Sequence, residues 1–384
     1  MSNDSAVVEL ARQLIRRPSV TPDDRGCMEL IFEFLGSGEF DEHQIDYGAT
    51  SNRVLLRERP GRPSLLFAGH TDVVPPGDES AWRFPPFEGR VSDGVLYGRG
   101  ACDMKGALAA YAVALRDFLR DHPEVDWQLG LLLTSDEEGS GEDGIKRVMQ
   151  KLKRDQMRID HCLIGEPTSS RRLGDMIKVG RRGSLNGSLT IYGRQGHIAY
   201  TDKADSPIHK AIGVLSEMTQ IVWDEGSEDF QPSALQISNI HAGLGVTNVA
   251  PGECRIEFNI RYSPKQSAEK IQSRIEGILD SAGIHSDLNW HESGRPFLGK
   301  PGGVLRTAVH DAVEAVCGEA PIHSTDGGTS DGRHIAPYGA EVIELGMLNE
   351  TAHAVNECVP VEDLERLTVI YRGILERMTL RPAQ

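Results

Sequence analysis

Short runs of consecutive apolar residues are the clearest pattern along the chain, and each run is followed within three residues by histidine or an acidic residue. Three of these runs occupy 65–68, 129–133 and 162–164. Apolar runs of this length, bounded by turn residues, are typical of strands buried on both faces of a parallel sheet. Functional sites in open α/β sheets form in the crevice at the carboxyl ends of the strands. We therefore predict a mainly parallel sheet whose crevice collects the polar residues that follow the runs.

Helical periodicity is clearest over 104–121, where apolar residues recur at the three-, four- and seven-residue spacings of one helix face. Another helix is predicted over 5–16, because basic residues precede Pro18, which stops it. These helices flank the predicted sheet. The first domain is therefore of the α/β class.

The middle of the chain has a different pattern, in which alternating strands and helices follow one another closely. Strands are predicted over 184–192, 234–240 and 254–261, and helices over 207–223 and 268–282. This succession is typical of a small α+β domain. A chain of 384 residues is also too long for one typical core. We predict an α/β domain formed by 1–182 and 296–384, with an α+β domain over 183–295 inserted in it.

Five side chains of the types that bind zinc are spread along the chain, each where a predicted strand ends: His70, Asp103, Glu138, Glu166 and His353. Zinc accepts imidazole nitrogen and carboxylate oxygen, and a catalytic site keeps one position open for water. Two zinc ions about 3.5–4 Å apart need one bridging carboxylate and sharply acidify a shared water. Asp103 is the candidate bridge. His70 and Glu166 would then bind one ion, and Glu138 and His353 the other.

Two further acids adjoin these candidate ligands. Asp72 follows His70 by two residues in an extended segment and is predicted to orient the imidazole. Glu137 is next to a ligand and is not needed as one, so it could take a proton from the water and pass it to a leaving amine. Residues 136–138 could instead form a solvated acidic turn, but they end an apolar strand, which favours function.

Net charge and cysteine spacing argue against nucleic-acid-binding, membrane-binding and disulfide-rich classes of protein. The 41 basic and 57 acidic residues give a net charge of −16, which disfavours nucleic acids and anionic membranes as partners. The six cysteines form no Cys-x-x-Cys pair, so neither a disulfide scaffold nor a structural zinc site is indicated. No leader pattern and no apolar stretch of about 18 residues is present, so we expect a cytoplasmic protein.

Two short motifs suggest other enzyme classes. Residues 139–144 spell G-x-G-x-x-G, as in a dinucleotide site, but five of the residues from Asp136 to Asp143 are acidic and would repel a pyrophosphate. Residues 328–332 spell G-x-S-x-G, the nucleophile elbow of serine hydrolases, with Ser330 as nucleophile. Pro321 and Pro337 disfavour the strand and helix that an elbow needs. A third alternative is a non-catalytic binding module, although Glu137 and all five candidate ligands are present.

Four motifs surround the candidate ligands: GHTDVVP at 69–75, YGRGACDMKG at 97–106, SDEEG at 135–139 and GEPT at 165–168. Together they resemble the metal motifs of the zinc aminoacylase and carboxypeptidase superfamily. Further segments resemble one branch of it, the enzymes that remove succinate from N-succinyl-LL-2,6-diaminopimelate in lysine biosynthesis. These segments lie at 180–187, 195–197, 236–243, 247–249 and 329–333. The resemblance covers nearly the whole chain.

The resemblance implies a zinc-exopeptidase-like catalytic domain and a ferredoxin-like domain through which a homodimer forms. It implies two zinc ions per subunit, which cobalt could replace. Asp103 would be the bridge, Glu137 the general acid/base and Asp72 the orienter of His70, whereas His197 would reach the partner's active site and stabilise the oxyanion. The residues that would bind the small N-acyl amino acid substrate are Arg181, Ser184, Tyr200, Asn248, Arg261, Gly328, Thr329 and Asn349.

Two segments depart from the superfamily pattern. Residues 201–204 read Thr-Asp-Lys-Ala, where relatives tend to have a Pro-His-Leu-Ala-like segment. Residues 346–353 read GMLNETAH, where relatives usually have Gly-Pro-x-Asn-x-Thr-Ile-His. In the family layout both segments flank the substrate pocket. A sibling deacylase, such as an acetylornithine deacetylase, or a dipeptidase therefore stays open as an alternative activity.

Overall fold

The computed structural model describes residues 5–36 and 38–380, which divide into two compact units. The first unit contains the described residues through 180 together with 298–324 and those from 330 onward. The second contains 181–297 and the five residues 325–329. The sequence analysis assigned 325–329 to the first unit, because a short loop has no hydrophobic pattern that could assign it to either.

Helices and strands are numbered in chain order. The helices are α1 Ala6–Ile15, α2 Cys27–Leu35, α3 Gly106–Asp121, α4 Ile145–Arg154, α5 Pro207–Thr219, α6 Ala268–Ala282, α7 Val304–Cys317, α8 Gly332–Ile335 and α9 Val361–Thr379. The strands of the first half are β1 Asp41–Gln44, β2 Asn52–Arg57, β3 Ser64–His70, β4 Arg90–Ser92, β5 Val95–Tyr97, β6 Gln128–Thr134, β7 His161–Ile164, β8 Met176–Lys178, β9 Gly180–Arg181 and β10 Gly183–Tyr192. Those of the second half are β11 Gly196–His197, β12 Ala234–Ala242, β13 Val249–Ala250, β14 Glu253–Tyr262, β15 Ser286–Gly294, β16 Phe297–Leu298, β17 Ile322–Ser324, β18 Glu341–Glu344 and β19 Cys358–Pro360.

The first unit is built on an eight-stranded sheet in the order β1-β2-β6-β3-β7-β18-β8-β17. Its central strands β6, β3, β7 and β18 are parallel, and antiparallel pairings join β1, β2 and β6 on one side and β18 and β8 on the other. The three apolar runs are β3, β6 and β7, which lie side by side, and every residue of β3 is buried. The predicted α/β class with a mainly parallel sheet is confirmed.

Helix α3 packs against α1, α2 and α9 and is buried along most of its length. Its Tyr111 ring stacks on Phe67 of β3 at 4.3 Å between centroids, and Tyr371 of α9 meets Phe67 edge-on at 5.4 Å. Such ring pairs contribute about 0.5–1.5 kcal/mol beyond the apolar area that they bury. The helix begins at Gly106, two residues later than predicted, because Asp103 and Met104 have non-helical backbone angles and form a kinked turn before it.

The second unit is a four-stranded antiparallel sheet in the order β12-β14-β10-β15. Its elements follow one another as β10-α5-β12-β14-α6-β15, the β-α-β-β-α-β succession of ferredoxin-like domains. Alternate residues of β10 and β14 form one core with α5 and α6. Strand β15 was not predicted, since polar residues dominate it, and α5 ends at Thr219, four residues before the predicted end. In the described part of the chain, no helix is both long and apolar enough to cross a membrane.

Candidate active site

Three adjacent parallel strands of the first unit deliver candidate ligands at their carboxyl ends. His70 is the last residue of β3, Glu138 lies in the loop after β6, and Glu166 follows β7 by two residues. Asp103 comes from the kinked turn before α3, and His353 from the segment between β18 and β19. These strands lie in the sheet in the order β6-β3-β7, which differs from their order in the chain. His70 and Glu166, which are far apart in the sequence, therefore reach the same crevice.

The Asp103 carboxylate lies between the two imidazoles. Its Oδ1 is 3.1 Å from Nε2 of His70, and its Oδ2 is 3.4 Å from Nε2 of His353. Each oxygen of one carboxylate therefore faces a different histidine. This is the arrangement that a carboxylate bridging two cations requires.

Each of the remaining two carboxylates lies near a different histidine. Oε1 of Glu138 is 2.8 Å from Nε2 of His353, and Oε1 of Glu166 is 3.8 Å from Nε2 of His70. Ligand atoms about 2.0–2.2 Å from a tetrahedral zinc ion are roughly 3.4 Å from one another. The four separations around the histidines span that value, so the residues could hold two metal ions with Asp103 between them.

Among the described residues there are two groups of three side chains that could hold a metal ion. Within each group, the possible ligand atoms lie within 4.8 Å of one another. One contains His70, Asp103 and Glu138; the other contains His70, Glu166 and Glu137. The second grouping allows Glu137 itself as a ligand, which the sequence analysis did not assign. Glu137 is therefore placed to act either as a base or as a ligand.

Asp72 is fully buried beside this cluster. Its carboxylate accepts hydrogen bonds from the backbone N–H groups of Glu137 at 3.4 Å and Glu138 at 3.1 Å. Nδ1 of His70 is 2.9 Å from the backbone carbonyl oxygen of Asp72 and 3.6 Å from its carboxylate. The carbonyl oxygen is therefore the closer partner of the imidazole, and the carboxylate chiefly holds the loop of the two glutamates.

Burial and neighbouring charges shift the pKa of several groups in the cluster. Burial raises the pKa of Glu137 to about 8, with Asp331 and Glu138 reinforcing the shift and His70 opposing it. Hydrogen bonds with Asp103 and Glu138 raise the pKa of His353 to about 10. Burial also raises the pKa of Glu166 well above its usual value. Because metal ligands bind deprotonated, a divalent cation would displace protons from these groups.

The structure adds three buried charged residues that the sequence analysis did not single out as site residues: Arg99, Asp331 and Glu357. Burial raises the pKa of Asp331 to about 6, and the charge of Arg333 opposes this shift. The Asp331 carboxylate in turn helps to raise the pKa of Glu137. Asp331 belongs to the segment 329–333, whose resemblance to the family was a usable signal. An isolated acid such as Glu357 carries no comparable signal in one sequence.

In the second unit, one group of predicted substrate-binding residues lies at one end of the sheet. Ser184 of β10 pairs with Arg261 of β14, and Asn259 donates to the Ser184 hydroxyl at 2.9 Å. The buried Arg181 donates to the carbonyl oxygen of Asp326 at 2.9 Å. Gly328 and Thr329 follow in the same loop.

The other group, His197, Tyr200 and Asn248, lies past the opposite end of β10. His197 belongs to β11, which pairs with β13, and the carbonyl oxygen of Asn248 accepts from the N–H of Ile198. The exposed ring of Tyr200 meets the His197 ring at 5.7 Å. Asn349, in the first unit, is exposed, and its N–H donates to the carbonyl oxygen of Ser169 at 3.0 Å.

The two motifs that suggested other enzyme classes have structural roles. The Ser330 hydroxyl is fully buried and donates to the Glu344 carboxylate, so it is not presented as a nucleophile. In the glycine-rich loop, the Asp136 carboxylate accepts from the N–H groups of Ser140 and Asp143, both at 3.1 Å. Those amides are therefore engaged by a carboxylate where a dinucleotide site would offer them to phosphate.

Comparison with known proteins gives the family. Residues 66–377 match the model of peptidase family M20/M25/M40. The chain is 50% identical over 379 residues to the succinyl-diaminopimelate desuccinylase of Halorhodospira halophila, covering 99% of this chain and 100% of the relative. The enzyme of that name from Alkalilimnicola ehrlichii is 50% identical over 374 residues, covering 97% and 99%.

Solved structures share the fold at low sequence identity. An M20-family metallo-carboxypeptidase from Sulfolobus solfataricus superposes with a TM-score of 0.81 at 16% identity, covering 99% of this chain and 100% of that one. A dinuclear metal-binding M20 peptidase from Bacillus subtilis superposes with a TM-score of 0.70 at 14% identity, covering 97% and 98%. The chain therefore belongs to peptidase family M20/M25/M40, and within it to the group that includes the curated succinyl-diaminopimelate desuccinylases.

Proposed function

We propose that this hydrolase removes succinate from N-succinyl-LL-2,6-diaminopimelate with the help of two zinc ions. The observation that carries the proposal is the Asp103 carboxylate, whose two oxygens face His70 and His353 separately. The substrate follows from the curated relatives of that name, which match the chain over almost its whole length. The proposed activity belongs to lysine biosynthesis.

The five candidate ligands would hold the ions as a bridged pair. Asp103 would bind both, His70 and Glu166 one, and Glu138 and His353 the other. When bound, such ions acidify a shared water and polarise the carbonyl group of the amide. Cobalt could replace zinc, because imidazole and carboxylate ligands accept either metal.

Glu137 would act as general base and then as general acid. A carboxylate oxygen of Glu137 lies within 4.8 Å of an imidazole nitrogen of His70, and burial raises the pKa of Glu137 to about 8. A base with a pKa near the working pH transfers protons efficiently in both directions. Glu137 would take a proton at its carboxylate and deliver it to the leaving amine, while Asp72 keeps the backbone of Glu137 and Glu138 in place.

Binding of the substrate would depend on the end of the second unit's sheet where Arg181, Ser184 and Arg261 lie, called here the arginine end. The proposed substrate carries three carboxylates, for which the planar fork of a guanidinium group is suited. Arg181 and Arg261 are the arginines beside Ser184 and the loop of Gly328 and Thr329. Local arginines allow an anionic substrate to bind despite the net charge of −16.

We further propose that the enzyme is a homodimer in which His197 serves the partner's site. Eight residue steps separate Ser184 from Tyr192 along β10, which is about 27 Å of extended strand. His197, Tyr200 and Asn248 lie beyond Tyr192 and therefore far from the arginine end within one chain. The second unit also exposes large apolar side chains that a partner could cover: Ile198, Ile208, Ile212, Ile240, Leu244 and Val246.

Mixing two inactive variants tests this arrangement. His197→Ala and Glu137→Gln subunits, unfolded and refolded together, should recover about one quarter of the wild-type kcat, because half of randomly formed two-fold dimers are mixed and each has one complete site. Each variant refolded alone is the control. No recovery in verified mixed dimers would mean that His197 acts within its own chain. Full activity of His197→Ala refolded alone would mean that His197 has no role.

Substrate preference tests the activity itself. The zinc-loaded protein should show a higher kcat/KM on N-succinyl-LL-diaminopimelate than on N-acetylornithine or a small dipeptide, and a chelator should abolish turnover of all three. Metal restoration after chelation is the control for damage. Bound metal without turnover of the succinylated substrate would indicate a sibling deacylase whose pocket differs at 201–204 and 346–353.

A further inference from the structure

A buried ion pair lies beside the candidate metal centre and belongs to none of its predicted roles. Nη1 of Arg99 is 2.7 Å from Oε2 of Glu357, and both side chains are at most 2% exposed. Burying two charges is costly, and such a pair is often replaceable by apolar side chains without loss of stability. The stability of the core is therefore a weak explanation for this pair, and its hydrogen bonds point to a role at the neighbouring site.

The Glu357 carboxylate binds the backbone segment that carries the candidate bridge. Its Oε1 accepts from the N–H groups of Cys102 at 2.8 Å and Asp103 at 3.0 Å. Its Oε2 accepts from the N–H of Gly100 at 2.8 Å as well as from Arg99. The backbone angles of Asp103 and Met104 are non-helical, and this one carboxylate accepts from three N–H groups of the kinked segment.

Arg99 joins the same carboxylate to the segment of the last candidate ligand. Its Nη2 donates to the carbonyl oxygen of His353 at 3.3 Å, and its Nη1 donates to that of Ala354 at 3.2 Å. His353 itself has a positive φ of 60°, a conformation that needs support from its surroundings. The guanidinium group therefore holds the backbone of His353, while Glu357 holds that of Asp103.

We propose that Arg99 and Glu357 are a positioning pair that sets the distance between Asp103 and His353, and thereby the affinity of the cation shared by Asp103, Glu138 and His353. The proposal rests on the dinuclear centre of the proposed function. The other cation also uses Asp103, but its remaining ligands are His70 and Glu166, whose positions come from β3 and the segment directly after β7. Its affinity should depend much less on the pair.

Glu357→Gln is the main test, because it keeps the size of the side chain. A glutamine has one acceptor oxygen and an NH₂ donor, so its donor would face either the amides of Cys102 and Asp103 or Gly100 and Arg99. Calorimetric titration of the metal-free variant with Zn²⁺ or Co²⁺, without substrate, should show one cation weakened about 10–100-fold, the usual effect of removing a residue that supports a ligand. The second cation, which depends on the pair only through Asp103, should be weakened much less.

Arg99→Lys provides a second variant that keeps the charge. A lysine can pair with Glu357 but cannot also bind the two carbonyl oxygens in a fork. It should weaken the same single cation, and it decides the matter if Glu357→Gln does not fold. Glu341→Gln is the matched control, since the Glu341 carboxylate also accepts two backbone N–H groups, those of Leu305 and Arg306, away from the site.

The pattern of affinities separates positioning from simple stabilisation. Glu341→Gln should lower the thermal midpoint and leave both metal affinities unchanged. If Glu357→Gln and Arg99→Lys lower only the thermal midpoint, or weaken both cations equally, the positioning role is wrong. A protein that shows the expected pattern but does not hydrolyse the succinylated substrate would retain the positioning role, and only the proposed substrate would be wrong.

Discussion

Replacing Glu137 with glutamine is expected to lower kcat by about 10²–10⁴-fold, the usual contribution of a general acid/base, while both metal ions stay bound. Glutamine has the size of glutamate but cannot take up the proton that the carboxylate would accept. Steady-state kinetics on N-succinyl-LL-diaminopimelate, together with metal analysis of the dialysed variant, would measure both effects. This pairing of results would also exclude a non-catalytic binding module.

Glu142→Gln is the matched control for this change. Glu142 is an exposed acid of the same loop and forms an ion pair with Lys146 in the first turn of α4, so its loss should leave kcat unaltered. Loss of a metal ion from Glu137→Gln would instead assign Glu137 as a ligand, as the grouping with His70 and Glu166 allows. Full activity in the variant would remove Glu137 from the mechanism.

Replacing Asp103 with asparagine is expected to reduce bound metal from two ions per subunit to at most one and to lower kcat/KM by about 10³-fold or more, equivalent to roughly 4 kcal/mol. The two carboxylate oxygens face different histidines, and asparagine keeps only one of them. The other position becomes an NH₂ donor, which cannot bind a cation. Elemental analysis and kinetics on the same preparation would measure both losses.

Asp160→Asn is the control for this second change. Asp160 stands before β7, at the opposite end of the parallel strands, where its carboxylate accepts from the N–H and hydroxyl of Ser64. Its loss should reduce thermal stability and leave the metal content at two. If Asp103→Asn also retained two tightly bound ions, Asp103 could not be the shared ligand.

Local sequence determined the elements that build the site. The apolar runs at 65–68, 129–133 and 162–164 are buried strands because side chains of that kind exclude water from both faces of a sheet. The same locality explains why α6 spans 268–282 as predicted, with Ser267 capping its first turn and Gly283 following its last. The helix and strand propensities of residues and the periodicity of apolar positions depend on neighbours in the sequence, so a single sequence is enough to show them.

Chemical type and family resemblance also singled out the candidate ligands from the sequence. His70 ends one buried strand, Glu138 and Glu166 follow two others, and parallel neighbours bring such ends together. The structure adds the distances, which place Asp103 between the two histidines. Those distances depend on strand order and on the kinked turn before α3, and no local pattern specifies either.

Contacts over long sequence separations were decided only by the tertiary structure. Glu357 meets the backbone of Asp103 across 254 residues, and Ser330 is buried against Glu344 although its motif is that of a nucleophile. Asp72 approaches His70 with its carbonyl oxygen closer than its carboxylate. A single sequence shows which groups can donate, accept or carry charge, whereas their partners depend on how the whole chain packs.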